Sequence, residues 1–247
     1  MSAADSPNAD QVLVILPTYD ESRTLAEIVE RVLTAVPRAS VLVIDDASPD
    51  GTGELADALA AEDPRVSVVH RPAKLGLGTA YIEGFLRAAE RGFRWIVEMD
   101  GDGSHLPEQL PLLLEAAGDG AGLVIGARWI EGGKVVGWPW YRRWISRTGT
   151  RVARLSLRSR LHDITSGFRV LDGAWIARMP LDGIAAQGYG FQVEVASTLE
   201  RMGCPIAEVP ITFVERRSGR SKMTLGIVLE ALGLVLRAGW RLRTGAL

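Results

Sequence analysis

The stretch Trp95-Ile-Val-Glu-Met-Asp-Gly-Asp-Gly-Ser-His105 runs from a short apolar segment straight into a loop with two carboxylates one residue apart. A strand ending this way suits the carboxyl edge of an open α/β sheet, where such sheets bind their ligands. Asp100 and Asp102 offer the hard oxygens preferred by a divalent cation that also holds substrate phosphates. Asp and Gly are equally what an ordinary polar turn uses, so the surroundings decide between the two readings.

Towards the N-terminus, residues 12–16 are apolar and β-branched up to Pro17, and 22–36 carry helical spacing through Leu25, Ile28, Val29, Val32 and Leu33. The alternation recurs as strand 41–44 with helix 53–61, strand 66–69 with helix 79–89, and strand 95–99 with helix 107–117, before a strand at 123–126. Apolar strands separated by helices predict a Rossmann-like, mostly parallel sheet flanked by helices. Right-handed crossovers bring Pro17-Thr-Tyr-Asp-Glu21, Asp45-Asp-Ala-Ser-Pro-Asp-Gly-Thr52 and Asp100-Gly101-Asp102 to one edge. Carboxylates crowded there call for a cation or a hydrogen-bonding ligand among them. Ser22, Ser48 and Asp50 have a second reading as helix caps, which leaves adjacent Asp45 and Asp46 unexplained.

The 28 basic and 30 acidic side chains nearly cancel, which argues against a general nucleic-acid binder. A single cysteine, Cys204, excludes an internal disulfide and reads as a small buried apolar residue. Residues 1–10 are small and polar, a disordered lead rather than a signal peptide. The longest apolar run, 225–236, is interrupted by Glu230 and is shorter than the roughly 18–20 residues of a membrane span. No phosphate-loop motif occurs, and Gly76-Leu-Gly78 reads as a tight turn into a helix, with Lys74 beside it as a phosphate contact.

From 132 to 162 there is no Asp or Glu, while Lys134, Arg142, Arg143, Arg147, Arg151, Arg154, Arg158 and Arg160 are all present. Arg147, Arg151, Arg154 and Arg158 fall on one helical face. A solvated charged face is one reading of this pattern; such faces usually mix signs, and an unmixed one near Trp138, Trp140, Tyr141 and Trp144 better suits anionic headgroups at a membrane surface. Those aromatics read equally well as packed core. Farther on, 185–202 reads as a helix, 206–213 as one strand, and 224–242 as an amphipathic helix, docked on the domain or lying in a membrane interface.

Together with Lys74-Leu-Gly-Leu-Gly-Thr-Ala-Tyr81, Gly126-Ala-Arg128, Trp138-Pro-Trp-Tyr-Arg142, Ser166-Gly-Phe-Arg169, Gly190-Phe-Gln-Val-Glu194 and Gly219-Arg-Ser-Lys222, these loops resemble the inverting nucleotide-sugar glycosyltransferases of the A-type fold. Within them, the chain resembles the polyprenol or dolichol phosphate mannose synthases. The resemblance implies one catalytic domain over 11–223, with a donor half at 11–126, an acceptor half at 127–223, and an amphipathic helix at 224–247. It implies GDP-mannose held by Pro17, Tyr19, Glu21, Asp45, Asp46, Lys74, Asp100, Gly101 and Asp102. It further implies Mg2+ or Mn2+ on Asp100, Asp102 and Ser104, and the phosphate of a polyprenyl phosphate on Arg128, Arg142, Arg216 and Lys222. Asp102, Arg128, Arg142 and Lys222 would carry the chemistry.

The expected setting is peripheral, on the cytoplasmic face of a membrane, with a separate membrane-anchor protein left open and no nucleic acid. The chain departs from the family at Asp20, where Asn is usual, and at Arg220, where an acidic residue is usual. UDP-glucose or UDP-N-acetylglucosamine as donor is the nearest alternative. A nucleotide-sugar-binding regulator or a nucleotidyltransferase belongs to a different class. The latter calls for a glycine- and base-rich first loop, and 17–21 is acidic and has no glycine.

Overall fold

Seven strands form the central sheet of the computed structural model, which describes residues 12–184 and 189–216. They are β1 (Val12–Thr18), β2 (Ser40–Asp45), β3 (Val66–His70), β4 (Trp95–Glu98), β5 (Leu123–Ala127), β7 (Arg169–Asp172) and β8 (Ile206–Pro210), in the order β3-β2-β1-β4-β7-β5-β8. A separate parallel ribbon joins β6 (Lys134–Val136) to β9 (Thr212–Val214). The helices are α1 (Leu25–Ala35), α2 (Thr52–Glu62), α3 (Leu77–Glu90), α4 (Leu110–Gly118), α5 (Trp140–Leu157), α6 (Gly173–Ile176) and α7 (Tyr189–Arg201). No described helix is long and apolar enough to cross a membrane.

The apolar strands follow from burial on both faces. Along β1, Val12, Val14 and Leu16 pack with Leu25, Ile28 and Val32 of α1 and with Leu110 and Leu113 of α4. The intervening Leu13 and Ile15 join Tyr81 and Phe85 of α3 and Phe191 and Leu199 of α7 on the opposite face. Successive side chains point to opposite faces of a strand, so one covered twice has no polar alternation. Each such aliphatic side chain stabilises the fold by about 1.5–3 kcal/mol. Gly84 lets α3 approach β1, since a Cβ there would lie 2.6 Å from Ile15 Cδ1.

The expected parallel sheet is present with one exception. β7 runs antiparallel between β4 and β5, and the strand–helix alternation did not forecast it because the chain reaches it by a long return through α5. The single strand expected at 206–213 is two. Proline has no N–H to continue a ladder, and beyond Pro210 the chain leaves β5 and pairs with β6. Helix 185–202 is described from Tyr189. Residues 1–10, Arg220, Lys222 and the 224–242 segment lie outside the described residues.

Candidate active site

The carboxyl ends of β1, β2 and β4 meet at one edge, and their loops are stitched together by backbone donors. Asp20 N–H donates to Ser48 Oγ at 3.1 Å, Glu21 N–H to Thr52 Oγ1 at 3.0 Å and Ser22 N–H to Asp50 Oδ2 at 3.1 Å. Ser48 and Asp50 therefore join two loops. Neither α1 nor α2 has a side-chain bond from its N-cap residue, Thr24 or Gly51. Burial works against the Asp50 carboxylate, yet bonds from Thr52 and Ser22 hold its pKa down to about 2. Asp20 adopts φ 61°, a left-handed conformation that Asn and Asp tolerate better than other side chains.

Asp45 and Asp46 divide the work. Asp45, 2% exposed, accepts from Thr18 Oγ1 at 2.9 Å and from Ser48 N–H at 3.0 Å. Asp46, expected on the donor, has its carboxylate on the scaffold: it accepts from Arg71 Nη1 at 2.6 Å and from Gly76 N–H at 2.8 Å. These bonds fix the loop before α3, which places Lys74 Nζ 3.6 Å above the Tyr19 ring. Gly76, at φ 97°, makes the expected turn into that helix.

After β4, the Asp100–Asp102 loop packs under the first loop. Thr24 Oγ1 donates to Gly101 O at 2.8 Å, and a Cβ on Gly101 would lie 3.7 Å from Glu21 Oε2. Asp102 accepts from Ser104 N–H at 2.9 Å, and its other oxygen lies 3.2 Å from Arg216 Nη2. His105 is stacked on Phe168 and met edge-on by Phe213, and its Nδ1 accepts from Asp100 N–H at 3.2 Å. Burial pushes this imidazole down to about 4, so it is neutral near pH 7. Ser104 Oγ is buried without a hydrogen-bond partner.

Two carboxylates and an unsatisfied hydroxyl fit a hard cation such as Mg2+ or Mn2+. Among the described residues no three His, Cys, Asp or Glu side chains form a closed metal cluster. A cation there would share its shell with substrate oxygens.

Facing this loop is a small pocket of about 50 Å3 whose lining includes Asp100, Ser104, Arg128, Arg142, Gln192 and Arg216. Arg128 follows β5 and grips buried Asp163, with Nε on Oδ2 and Nη2 on Oδ1, both at 2.8 Å. Arg142 stands 4.1 Å over the Trp138 ring and donates to Glu215 at 3.0 Å. Arg216 reaches the same pocket because β9 docks on the acidic loop, Val214 N–H donating to Ser104 O at 3.1 Å. Beneath lies Arg169, fully buried, with three bonds of 2.7 Å to Ile164 O, Ser166 O and Gln192 O. Its Nε is 3.7 Å from Glu98, whose carboxyl burial pushes up to about 7.

The comparisons bear directly on this arrangement. Residues 13–178 match the family described as Glycosyl transferase family 2. The chain belongs to that family. It is 53% identical to the undecaprenyl-phosphate mannosyltransferase of Micrococcus luteus, over 93% of this chain and 94% of that one. It is 46% identical to the polyprenol monophosphomannose synthase of Mycolicibacterium smegmatis, over 94% and 88% respectively. A crystal structure of glucosyl-3-phosphoglycerate synthase from Mycobacterium tuberculosis, with Mn2+ and UDP-glucose, superposes with a TM-score of 0.74 at 20% identity. The match covers 97% of this chain and 84% of that one. That likeness bears out the expected A-type fold.

In this glycosyltransferase the expected acceptor arginines 128, 142 and 216 do line one pocket, although Arg216 rests on Asp102. Sequence reasoning assigned no role to Asp163, His105 or Gln192. Asp163 had one signal, as the first acid after the basic stretch. Gln192 lies in a quoted motif, but only the structure places its amide oxygen, buried and unpaired, in a pocket-lining residue. The even choice for the aromatics divides: Trp138 is core at 6% exposure, whereas Trp140 and Trp144 are exposed at 74% and 65%. Cys204 is buried, and burial pushes its thiol up to about 11.

Proposed function

We propose that this glycosyltransferase moves mannose from GDP-mannose to a polyprenyl phosphate, with inversion at the anomeric carbon and release of GDP. The observation that carries the reading is the pairing of an acidic, cation-fitting loop with Arg128, Arg142 and Arg216 around one pocket, whose described lining offers as bases Asp100 and His105. In this reading Asp100 and Asp102 hold the cation, and neutral His105 has its Nδ1 engaged by Asp100 N–H. A phosphate acceptor needs no such base, because its second ionisation lies near pH 6.

One acceptor oxygen forms the bond to the anomeric carbon as the carbon–oxygen bond to the diphosphate breaks, and GDP leaves with the electron pair. A divalent cation on Asp100, Asp102 and Ser104, when bound, would neutralise the diphosphate. The Mn2+ accompanying UDP-glucose in the M. tuberculosis enzyme supports that assignment. Arg142 would exchange Glu215 for acceptor phosphate oxygens, which its fork suits. Arg128, fixed on Asp163, would supply positive potential at the pocket wall. Lys222 would join them. Tyr19, Glu21 and Asp45, with Pro17, would hold the guanosine, and Lys74 the diphosphate.

The names of the Micrococcus and Mycolicibacterium relatives support mannose and a polyprenyl acceptor. The exposed arginines and tryptophans of α5 support attachment to the cytoplasmic face of a membrane. A separate anchor protein is the alternative, which vesicle flotation of the isolated chain distinguishes.

The test offers radiolabelled GDP-mannose, UDP-glucose and UDP-N-acetylglucosamine in turn with polyprenyl phosphate and follows label into lipid. Label from GDP-mannose alone is expected. Label from a UDP-sugar would replace the donor, and donor binding with no transfer from any of the three would make the chain a regulator.

A further inference from the structure

A second cavity lies outside the transfer pocket, along α5. This groove of about 430 Å3 is lined by Trp129, Trp144, Arg147, Arg151, Arg154 and His162, together with Thr148 and Thr150. We propose that it is a distinct anion site that takes the headgroup phosphate of an anionic membrane phospholipid. The proposal rests on the membrane-facing part of the reading above and adds a discrete ligand site to it.

Three observations carry it. Arg147, Arg151 and Arg154 have no carboxylate partner among the described residues, in contrast to Arg128 and Arg142. Arg147 is held over the groove wall, its guanidinium 5.1 Å from the Trp129 ring. Glu208, which bonds the groove residue His162, is answered by His162 N–H, Asp163 N–H and the His162 ring at 2.7–2.8 Å, and Asp163 beside it is held by Arg128. Three unpaired guanidinium forks in one groove suit phosphate oxygens.

The apolar rim selects a lipid. Trp140, Trp144 and Leu155 are 65–74% exposed on the same helix. Aromatic and aliphatic side chains grouped beside arginines suit the boundary between headgroups and acyl chains. Free phosphate gains nothing from them.

The groove is also separate from the transfer pocket. Thr150 lines the first and Thr165 the second, and their hydroxyls meet at 3.0 Å. The two cavities thus stand back to back, so that an anchored phospholipid would leave the transfer pocket free for the acceptor.

The experiment titrates the full chain with short-chain phosphatidylglycerol below its micelle concentration, and separately with inorganic phosphate, following tryptophan fluorescence. Saturable lipid binding, with weaker phosphate binding, is expected. Arg151→Gln with Arg154→Gln should weaken lipid binding roughly thirtyfold, about fivefold for each arginine lost. Exposed Arg151→Gln alone, which breaks no hydrogen bond among the described residues, should weaken it about fivefold. Arg143→Gln with Arg158→Gln, one turn from the groove arginines but not lining the groove, should weaken it by no more than about fivefold in all, well short of the groove pair.

Equal losses in the two double variants would mean a diffuse field and overturn the site. Equal affinity for inorganic phosphate would overturn the lipid. Transfer to a short-chain polyprenyl phosphate in neutral detergent should persist in the groove variant, and its collapse would place the groove in the transfer site and sink the proposal. A wild-type chain that binds the lipid yet transfers no mannose would refute the function proposed above and leave the groove standing.

Discussion

Asp45 and Asp46 are adjacent and both buried, but their partners differ: Asp45 accepts from Thr18 and Ser48 in the loops of the sheet edge, and Asp46 ties Arg71 and Gly76 to the sheet. Residue type made both legible as members of an acidic crevice, but only side-chain direction separates their partners. Asp163 was invisible for the same reason, since its role is defined by a partner, Arg128, far away in sequence. Two predictions belong here. Asp102→Ala removes a cation ligand in the proposed reading, so transfer should fall about a thousandfold while the far-UV circular dichroism is unchanged. Full activity of the wild type in EDTA would refute the cation assignment. Arg142→Ala should raise the KM for polyprenyl phosphate about tenfold and leave that for GDP-mannose nearly unaltered; equal loss on both would argue against an acceptor role.

Among the elements, the helices and parallel strands of the first half were legible because each is a long periodic pattern with two buried faces. β7 was not: it has four residues and opens on an arginine. That arginine is what the element contributes, because Arg169 binds the carbonyls of Ile164, Ser166 and Gln192 and neighbours Glu98 across the strand pair. Arg169→Met would leave three buried carbonyls without this donor and Glu98 without a counter-charge. A loss of about 3–5 kcal/mol is expected in urea unfolding, and a loss below about 1 kcal/mol would mean that the network contributes no net stability. The ribbon of β6 and β9 escaped notice as well. Three residues each give no periodicity, yet this pair brings Arg216 to the arginine-lined pocket and Glu215 to Arg142.

For the whole molecule, two buried groups set opposing pH trends. Burial lowers His105 from 6.5 to about 4, so as pH falls the unfolded chain takes up a proton that the folded one refuses. Its contribution is complete above about 6.5 and is lost towards 4. Glu98 is raised from 4.5 to about 7, so the folded chain keeps a proton that the unfolded one releases. That contribution is complete below about 4.5 and is lost as pH rises through 7. The slopes oppose one another over the overlap, and Glu98→Gln should uncover the histidine's. Stability from denaturant melts should then rise between about pH 5 and 6.5 in the variant, whereas a flat variant profile would contradict the assignment.

The placement of β7 also has a consequence for synthesis. β1, β2 and β3 pair through crossovers of one helix each, and β4 returns past them to pair with β1, so all four have partners once Glu98 is made. Among the described residues β5 pairs with β7 and β8 alone, both made later. A chain emerging from the ribosome can therefore assemble the edge that carries the acidic loops early, while Leu123–Ala127 waits without a strand neighbour until Asp172 is out. Nascent chains arrested with Glu98 just exposed should already protect β1 to β4 from protease. Those arrested before Arg169 should still be cut near 123–127, and protection of that strand at that stage would refute the order.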